Sequence, residues 1–170
     1  YELLSLGPTS ANGSPGRFLF LCSDEAKERL RPYLSAGNVT QTMTAPAVAI
    51  VGYDLAFCDK FETLWPGNEE VRTWFEGNDE KLLETAFRNS TLQGAYMIIA
   101  ARALGLGTVL TTLHPEVMER VNAMFGVPED MAFHCCIPLG YPRGNFGPTS
   151  RLPTSETTSW DRWGQSPPWK

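Results

Sequence analysis

A chain of 170 residues, 42% of them hydrophobic, can bury one full core, so a single globular unit is expected. The net charge of −5 and pI near 5.0, with no run of Lys or Arg, exclude the electrostatic footprint of a nucleic-acid or anionic-membrane binder. No apolar stretch reaches bilayer-spanning length and no charged leader is present, so a cytoplasmic protein with no nucleic acid and no membrane among its partners is expected.

The opening "YELLSLGP" reads as the end of a helix whose beginning lies outside the chain. "GPTSANGSPG" then gathers small turn-forming residues ahead of "RFLFLC" (17–22), a buried strand. Ser23 with Asp24 and Glu25 starts a helix, carboxylates favouring its positive end, and Pro32 limits it to a couple of turns. Beyond the polar segment "SAGNVTQTMTA", the continuous apolar run "PAVAIVGY" (46–53) suits a strand covered on both faces.

A long helix is expected from about Asp79 to Leu104, where Leu83, Phe87, Ser90, Gly94, Met97, Ala101 and Leu104 recur at alternating four- and three-residue steps. Periodicity alone accounts for that stripe as a core face. "GLGTVLTTL" (105–113) leaves the helix through glycine and becomes β-rich, Pro115 opens "PEVMERVNAMF", and Gly126 closes it. "AFHCCIPLGYP" (132–142) is a further buried strand. From Arg143 onward Pro, Gly, Ser and Thr dominate, yet Trp160, Trp163 and Trp169 are embedded there, and disordered tails are poor in aromatics. A domain over 1–153 is therefore expected, its N-terminal part missing, with an extension over 154–170 that packs on a partner subunit.

Cys22, Cys58, Cys135 and Cys136 form no CxxC spacing, and His114 and His134 are the only histidines, so neither a metal site nor a Ser-His-Asp arrangement is nominated. No GxGxxG follows a strand and no P-loop pattern occurs. The element order argues for an α+β fold with helices on a central sheet.

Four segments in one order, "GPTSANGSPGRFLFL", "GNVTQTMTAPAVAIV", "FRNSTLQGAYMIIAARALGLG" and "CCIPLGYPRGNFGPTSRLP", resemble the flavin-dependent nitroreductase family, with particular similarity to its malonic semialdehyde reductase-like branch. The resemblance implies a three-layer α+β sandwich with a central mixed sheet, a homodimer, and FMN in clefts between subunits. It implies hydride transfer from NAD(P)H through flavin N5 to a small electron-poor acceptor: a nitroaromatic, quinone, enal or aldehyde. It places Pro8, Thr9, Ser10 and Asn12 against the partner's flavin, where small hydroxyls and an amide can bond the cofactor without filling its space. From the residues alone the same stretch reads first as an ordinary helix-to-strand loop with Asx and Ser turns.

By the same resemblance, Asn38 meets the pyrimidine edge of the flavin and Gln41 stands where a Lys is common. Leu110, Thr111 and Thr112 pass the reactive ring, with a backbone N–H near Thr112 directed at N5. Arg151 matches a residue that binds the FMN phosphate. No catalytic acid–base residue is implied, because the flavin carries the chemistry. The chain departs from the pattern at Gln41 and Thr149, which leave the phosphate poor in cations, and at Ser14 and Gly16, which enlarge or reshape the pocket. A deazaflavin in place of FMN, or a partner subunit that has lost flavin altogether, fits those departures.

Overall fold

The structure is a computed structural model describing residues 1–68, 70–144 and 149–165. A one-turn helix α1 (Glu2–Ser5) leads through a 3-10 turn at Ser10–Asn12 into strand β1 (Gly16–Leu21). Helix α2 (Asp24–Leu30) is capped by Ser23, whose side chain accepts from Ala26 N at 3.2 Å, and a 3-10 turn containing Pro32 follows it. The polar segment after it folds as helix α3 (Ala36–Thr44). Strand β2 (Ala47–Asp54) is followed by a 3-10 turn and the short helices α4 (Phe61–Leu64) and α5 (Glu70–Thr73). Helix α6 (Asp79–Ala103), strands β3 (Gly107–Thr108) and β4 (Thr111–Thr112), helix α7 (Pro115–Phe125), strand β5 (Met131–Gly140) and helix α8 (Thr154–Thr157) complete the order.

The sheet runs β1-β2-β5-β3, with β4 beside β3 on the same flank of β5. Every pairing among the described residues is antiparallel, whereas a mixed sheet was expected. The reason is topological. The α2–α3 pair returns the chain to the end of β1 it has just left, setting Leu21 against Val48, and α7 does the same between β4 and β5.

Helices cover both faces of this sheet. Val48, Ile50, Phe133 and Cys136 pack with Leu30 of α2 and Val121 of α7, while Ala49, Val51, Cys135 and Ile137 pack with Leu4 of α1 and Met97 of α6. That gives the expected three layers. A separate apolar cluster of Phe57, Phe61, Val71, Phe75 and Ala86 holds the 55–76 segment onto the start of α6. Lys27, buried within the first layer, donates to Met43 O (3.3 Å) and Ala45 O (3.0 Å), satisfying carbonyls at the C-terminal end of α3.

The α6 stripe is only partly the core face. Ser90, Gly94, Met97 and Ala101 are buried, but Leu83, Phe87 and Leu104 at its ends are exposed. A strict seven-residue repeat drifts by about 20° per heptad around a straight helix, so the N-terminal end of the stripe rotates off the sheet, while Leu104 lies past the last helical residue, Ala103. There Ala86, Asn89 and Gln93 are buried instead.

Among the described residues no helix is long and apolar enough to cross a membrane. Leu152 and Trp163 are exposed on this chain, and Trp169 lies outside the described residues.

Candidate functional site

Backbone geometry singles out the loop ahead of β1. Ala11, Asn12 and Ser14 have φ of 53°, 54° and 42°, a left-handed region that side chains disfavour, so something must hold them there. The holding groups come from α6. Asn89 Oδ1 accepts from Ser10 N at 2.8 Å, Gln93 Oε1 accepts from Gly16 N at 2.7 Å, and Tyr96 donates its hydroxyl to Pro8 O at 2.9 Å. Residues 89, 93 and 96 share one helix face by their spacing, so one helix fixes both ends of the loop.

Inside the loop, Thr9 Oγ1 accepts from Ser14 N (3.1 Å), and Asn12 donates Nδ2 to Leu64 O (2.8 Å). Arg17, ion-paired with the buried Asp54, donates to Ser14 O and Gly16 O, both at 3.0 Å. Of the expectation that Gly16 enlarges or reshapes a pocket, the enlargement is corrected here: a Cβ on Gly16 would lie 2.7 Å from Gln93 Oε1, so the space beside Gly16 is already filled by that amide.

A second patch lies on the opposite edge of the sheet. β3 and β4 keep one register along β5, with Gly107 opposite Gly140 and Thr112 opposite Cys135. Val109 N donates to Pro138 O and Leu113 N to His134 O, so alternation of the ladder turns the N–H groups of Leu110 and Thr112 away from β5 toward the open edge. Leu110 is exposed, as is Thr112, whereas Thr111 is buried with its Oγ1 lacking a hydrogen-bond partner.

The third patch is on α3, where Ser35, Asn38 and Gln41 form a hydrogen-bonded chain at three-residue steps, 2.8 and 2.7 Å long. Arg151 is exposed and bonds only its neighbours Thr149 and Ser150 among the described residues. The ten nominated residues are therefore not one cluster within a single chain. β1 and β4 are separated by β2 and β5, three inter-strand steps or about 14 Å.

Behind the sheet, β5 carries a bulge: Val51 faces Cys135 and Gly52 faces Phe133, leaving His134 as the extra residue. Its ring packs against Tyr53 and Phe87, with Nε2 3.1 Å from Ser90 Oγ. Because the Ser90 hydroxyl donates to Phe87 O, it accepts from His134 Nε2–H. Burial pulls the His134 pKa down to about 4, so the ring is neutral. Burial also pushes the Cys135 thiol up to about 11 and Cys136 to about 12, which keeps both protonated and poor nucleophiles. No cluster of three potential metal-ligating groups exists among the described residues.

Beside the loop, Ala11, Asn12, Leu64, Trp65 and Trp74 line an open cleft of about 370 Å³.

The Nitroreductase family model matches residues 2–141. This chain belongs to the nitroreductase family. A provisionally named NADH dehydrogenase/NAD(P)H nitroreductase of Stenotrophomonas maltophilia is 42% identical over 159 residues, covering 92% of this chain and 79% of the relative. A similarly named protein of Burkholderia lata is 57% identical over 105 residues, 62% of this chain and 53% of its own length, and for a third, from Cupriavidus pinatubonensis, the share is 55% of its length. The chain thus spans about half the length of those two curated relatives. Among solved structures, a provisionally assigned nitroreductase in complex with FMN from Exiguobacterium sibiricum superposes with a TM-score of 0.80 at 25% identity, over 94% of this chain and 83% of that one. A nitroreductase family protein from Streptococcus pneumoniae has a TM-score of 0.81 at 18% identity, over 94% and 85%.

Within this nitroreductase chain, sequence reasoning missed Asn89, Gln93 and Tyr96. A signal was present in "RNSTLQGAY": two amides four residues apart, each one residue before a member of the apolar stripe, Ser90 and Gly94. It also missed Trp65 and Trp74, which lie in a segment without usable period.

Proposed function

We propose that this chain is the subunit of a homodimeric FMN-dependent NAD(P)H oxidoreductase that reduces a small electron-poor organic acceptor. The observation that carries the reading is the strained Thr9–Ser14 loop, held at both ends by buried amides of α6, in a chain whose fold matches a neighbour in complex with FMN.

The donor set fits the cofactor. Thr9, Ser10 and Asn12 offer hydroxyl and amide groups at a fixed loop, Asn38 and Gln41 offer further amides, and Arg151 offers a guanidinium suited to a phosphate. The outward N–H groups at Leu110 and Thr112 are fixed donors that need no side chain and no reorganisation. The buried, unpartnered Thr111 Oγ1 lies between them. The chemistry that FMN supplies when bound is two-electron transfer between a nicotinamide donor and the acceptor. The protein contributes binding, orientation and oriented dipoles.

A homodimer fits the separation of the two patches. The loop and the Thr112 edge of one chain lie at opposite edges of its sheet, so a suitably placed two-fold axis would complete two equivalent sites, each from one subunit's loop and its partner's edge. Residues 154–165, exposed on the single chain, would then pack on the partner, and four free thiols suit a cytoplasmic setting.

The test is the visible spectrum of the purified protein with its native N-terminus, before and after FMN addition and gel filtration. A retained flavin spectrum with FMN-dependent NAD(P)H oxidation is expected. A folded, colourless protein would instead support a flavin-independent partner subunit.

A further inference from the structure

The strained loop runs into β1 through the carbonyls of Ser14, Pro15 and Gly16, and two residues bond all of them. Arg17 Nη1 donates to Ser14 O and to Gly16 O, both at 3.0 Å, and the backbone N–H of Asp54 donates to Pro15 O at 3.0 Å. Arg17 Nη2 in turn pairs with Asp54 Oδ2. The other carboxylate oxygen, Oδ1, accepts from Ala56 N at 2.7 Å, where the chain leaves β2 for the 55–76 segment. That segment supplies the Phe57, Phe61 and Phe75 cluster against which Ala11 of the loop packs. One carboxylate therefore joins the end of the strained loop to the start of its neighbour.

The sheet sets the reach. Arg17 stands opposite Gly52 on the antiparallel ladder, and Asp54, two residues on, shares that face. Position 52 admits no side chain, because a Cβ there would lie 2.5 Å from Ala132 O, so the diagonal from Arg17 to Asp54 is open. Packing alone does not pin the guanidinium. Arg17 also lines an open cavity of about 280 Å³ whose other walls, among them Leu19, Phe125, Val127 and Phe133, carry no charge. Its side chain is 32% exposed and that of Asp54 only 3%, and a carboxylate buried to that extent is costly without its cationic partner.

We propose that Arg17 and Asp54 are positioning residues for the flavin loop: they hold the left-handed Ala11–Ser14 turn from the sheet side and register it to the 55–76 segment. An ion pair that serves stability alone can be exchanged for uncharged side chains at little loss. A positioning pair cannot, because the donors to Ser14 O and Gly16 O leave with it. Only the naming of the loop as flavin-binding rests on the oxidoreductase reading; the grip on its carbonyls stands apart from it.

The test compares the parent with Arg17→Met, Arg17→Lys and the double variant Arg17→Met/Asp54→Asn, each as the full-length protein with and without FMN. Urea denaturation reads stability, and fluorescence titration reads FMN affinity. Hydrogen exchange followed by mass spectrometry reads the loop, residues 8–17, against α7 as a reference. Arg17→Met, which leaves Asp54 unpaired, is expected to lose stability. The double variant removes that stranded charge and keeps an oxygen for Ala56 N, so its denaturation midpoint is expected near the parent's. Its loop is nonetheless expected to exchange about tenfold faster without FMN, with α7 unchanged, and its FMN Kd to rise by about tenfold. Arg17→Lys keeps the charge but not the two-pronged donation, and is expected to fall between parent and double variant in both. Parent-like loop exchange in the double variant, or in Arg17→Lys should the double variant not fold, would overturn the proposal. So would exchange that quickens equally in the loop and α7, the mark of a general loss of stability. Faster loop exchange with FMN affinity unchanged would instead overturn the flavin role of the loop and leave the pair as its holder. A parent that takes up no FMN would overturn the oxidoreductase reading, while loop exchange alone still decides the pair.

Discussion

Asn89 and Gln93 hold a backbone that would not adopt its conformation unaided. Each presents a buried carbonyl oxygen to one loop N–H, so removing it strands a donor that water reaches poorly. Asn89→Ala is expected to lower stability by about 1–3 kcal/mol in urea denaturation. It is also expected to weaken FMN binding, read by fluorescence titration, at least tenfold. Asn89→Asp keeps an acceptor oxygen in place and should recover much of both. A variant that loses stability while binding FMN as before would show that the loop's conformation is irrelevant to the cofactor.

Among the elements, the bulge on β5 has the clearest energetic signature. It sets His134 beside Tyr53, Phe87 and Ser90, where the neutral ring is favoured. The folded-state pKa of about 4 lies below the ordinary 6.5, so the unfolded chain binds a proton that the folded chain refuses. Above pH 6.5 the difference vanishes; as pH falls from 6.5 toward 4, stability declines. Between pH 7.5 and 4 the loss from this group is about 3 kcal/mol. Denaturation midpoints of the parent and His134→Gln, taken at both pH values, should therefore converge in acid.

The sequence could not reveal that bulge, because a register shift leaves no periodic trace in a continuous apolar run such as "AFHCCIPLG". Strands β1, β2 and β5 and helices α6 and α7 were legible to within two residues at each end, each carrying a strong period or clear terminators. Helix α3 was not, since Val39 and Met43 give too narrow an apolar face to read. Asn89 and Gln93 were hidden for a related reason: buried amides and solvent-facing amides look alike until the partner loop is placed.

For the whole molecule, the outer face of α6 is informative. Leu92 and Ile99, seven residues apart and so on one face, are exposed, as are Leu3 and Leu6 beside the α1–α6 contact. Burial of this face in the proposed dimer predicts that Ile99→Arg shifts the protein toward monomer in sedimentation velocity, at unchanged far-UV circular dichroism. Loss of the dimer should carry away bound FMN, since the loop and the Thr112 edge of one chain lie apart. The β3–β4 edge has a different kind of consequence, one for descent. Its donors at Leu110 and Thr112 are fixed by ladder parity rather than by side-chain identity, so substitutions there can accumulate with the donor pattern intact. Adding or deleting one residue between Gly107 and Leu113 would turn those N–H groups inward and expose the alternate set. Lineages carrying this edge are thus free to vary its spelling but not its length.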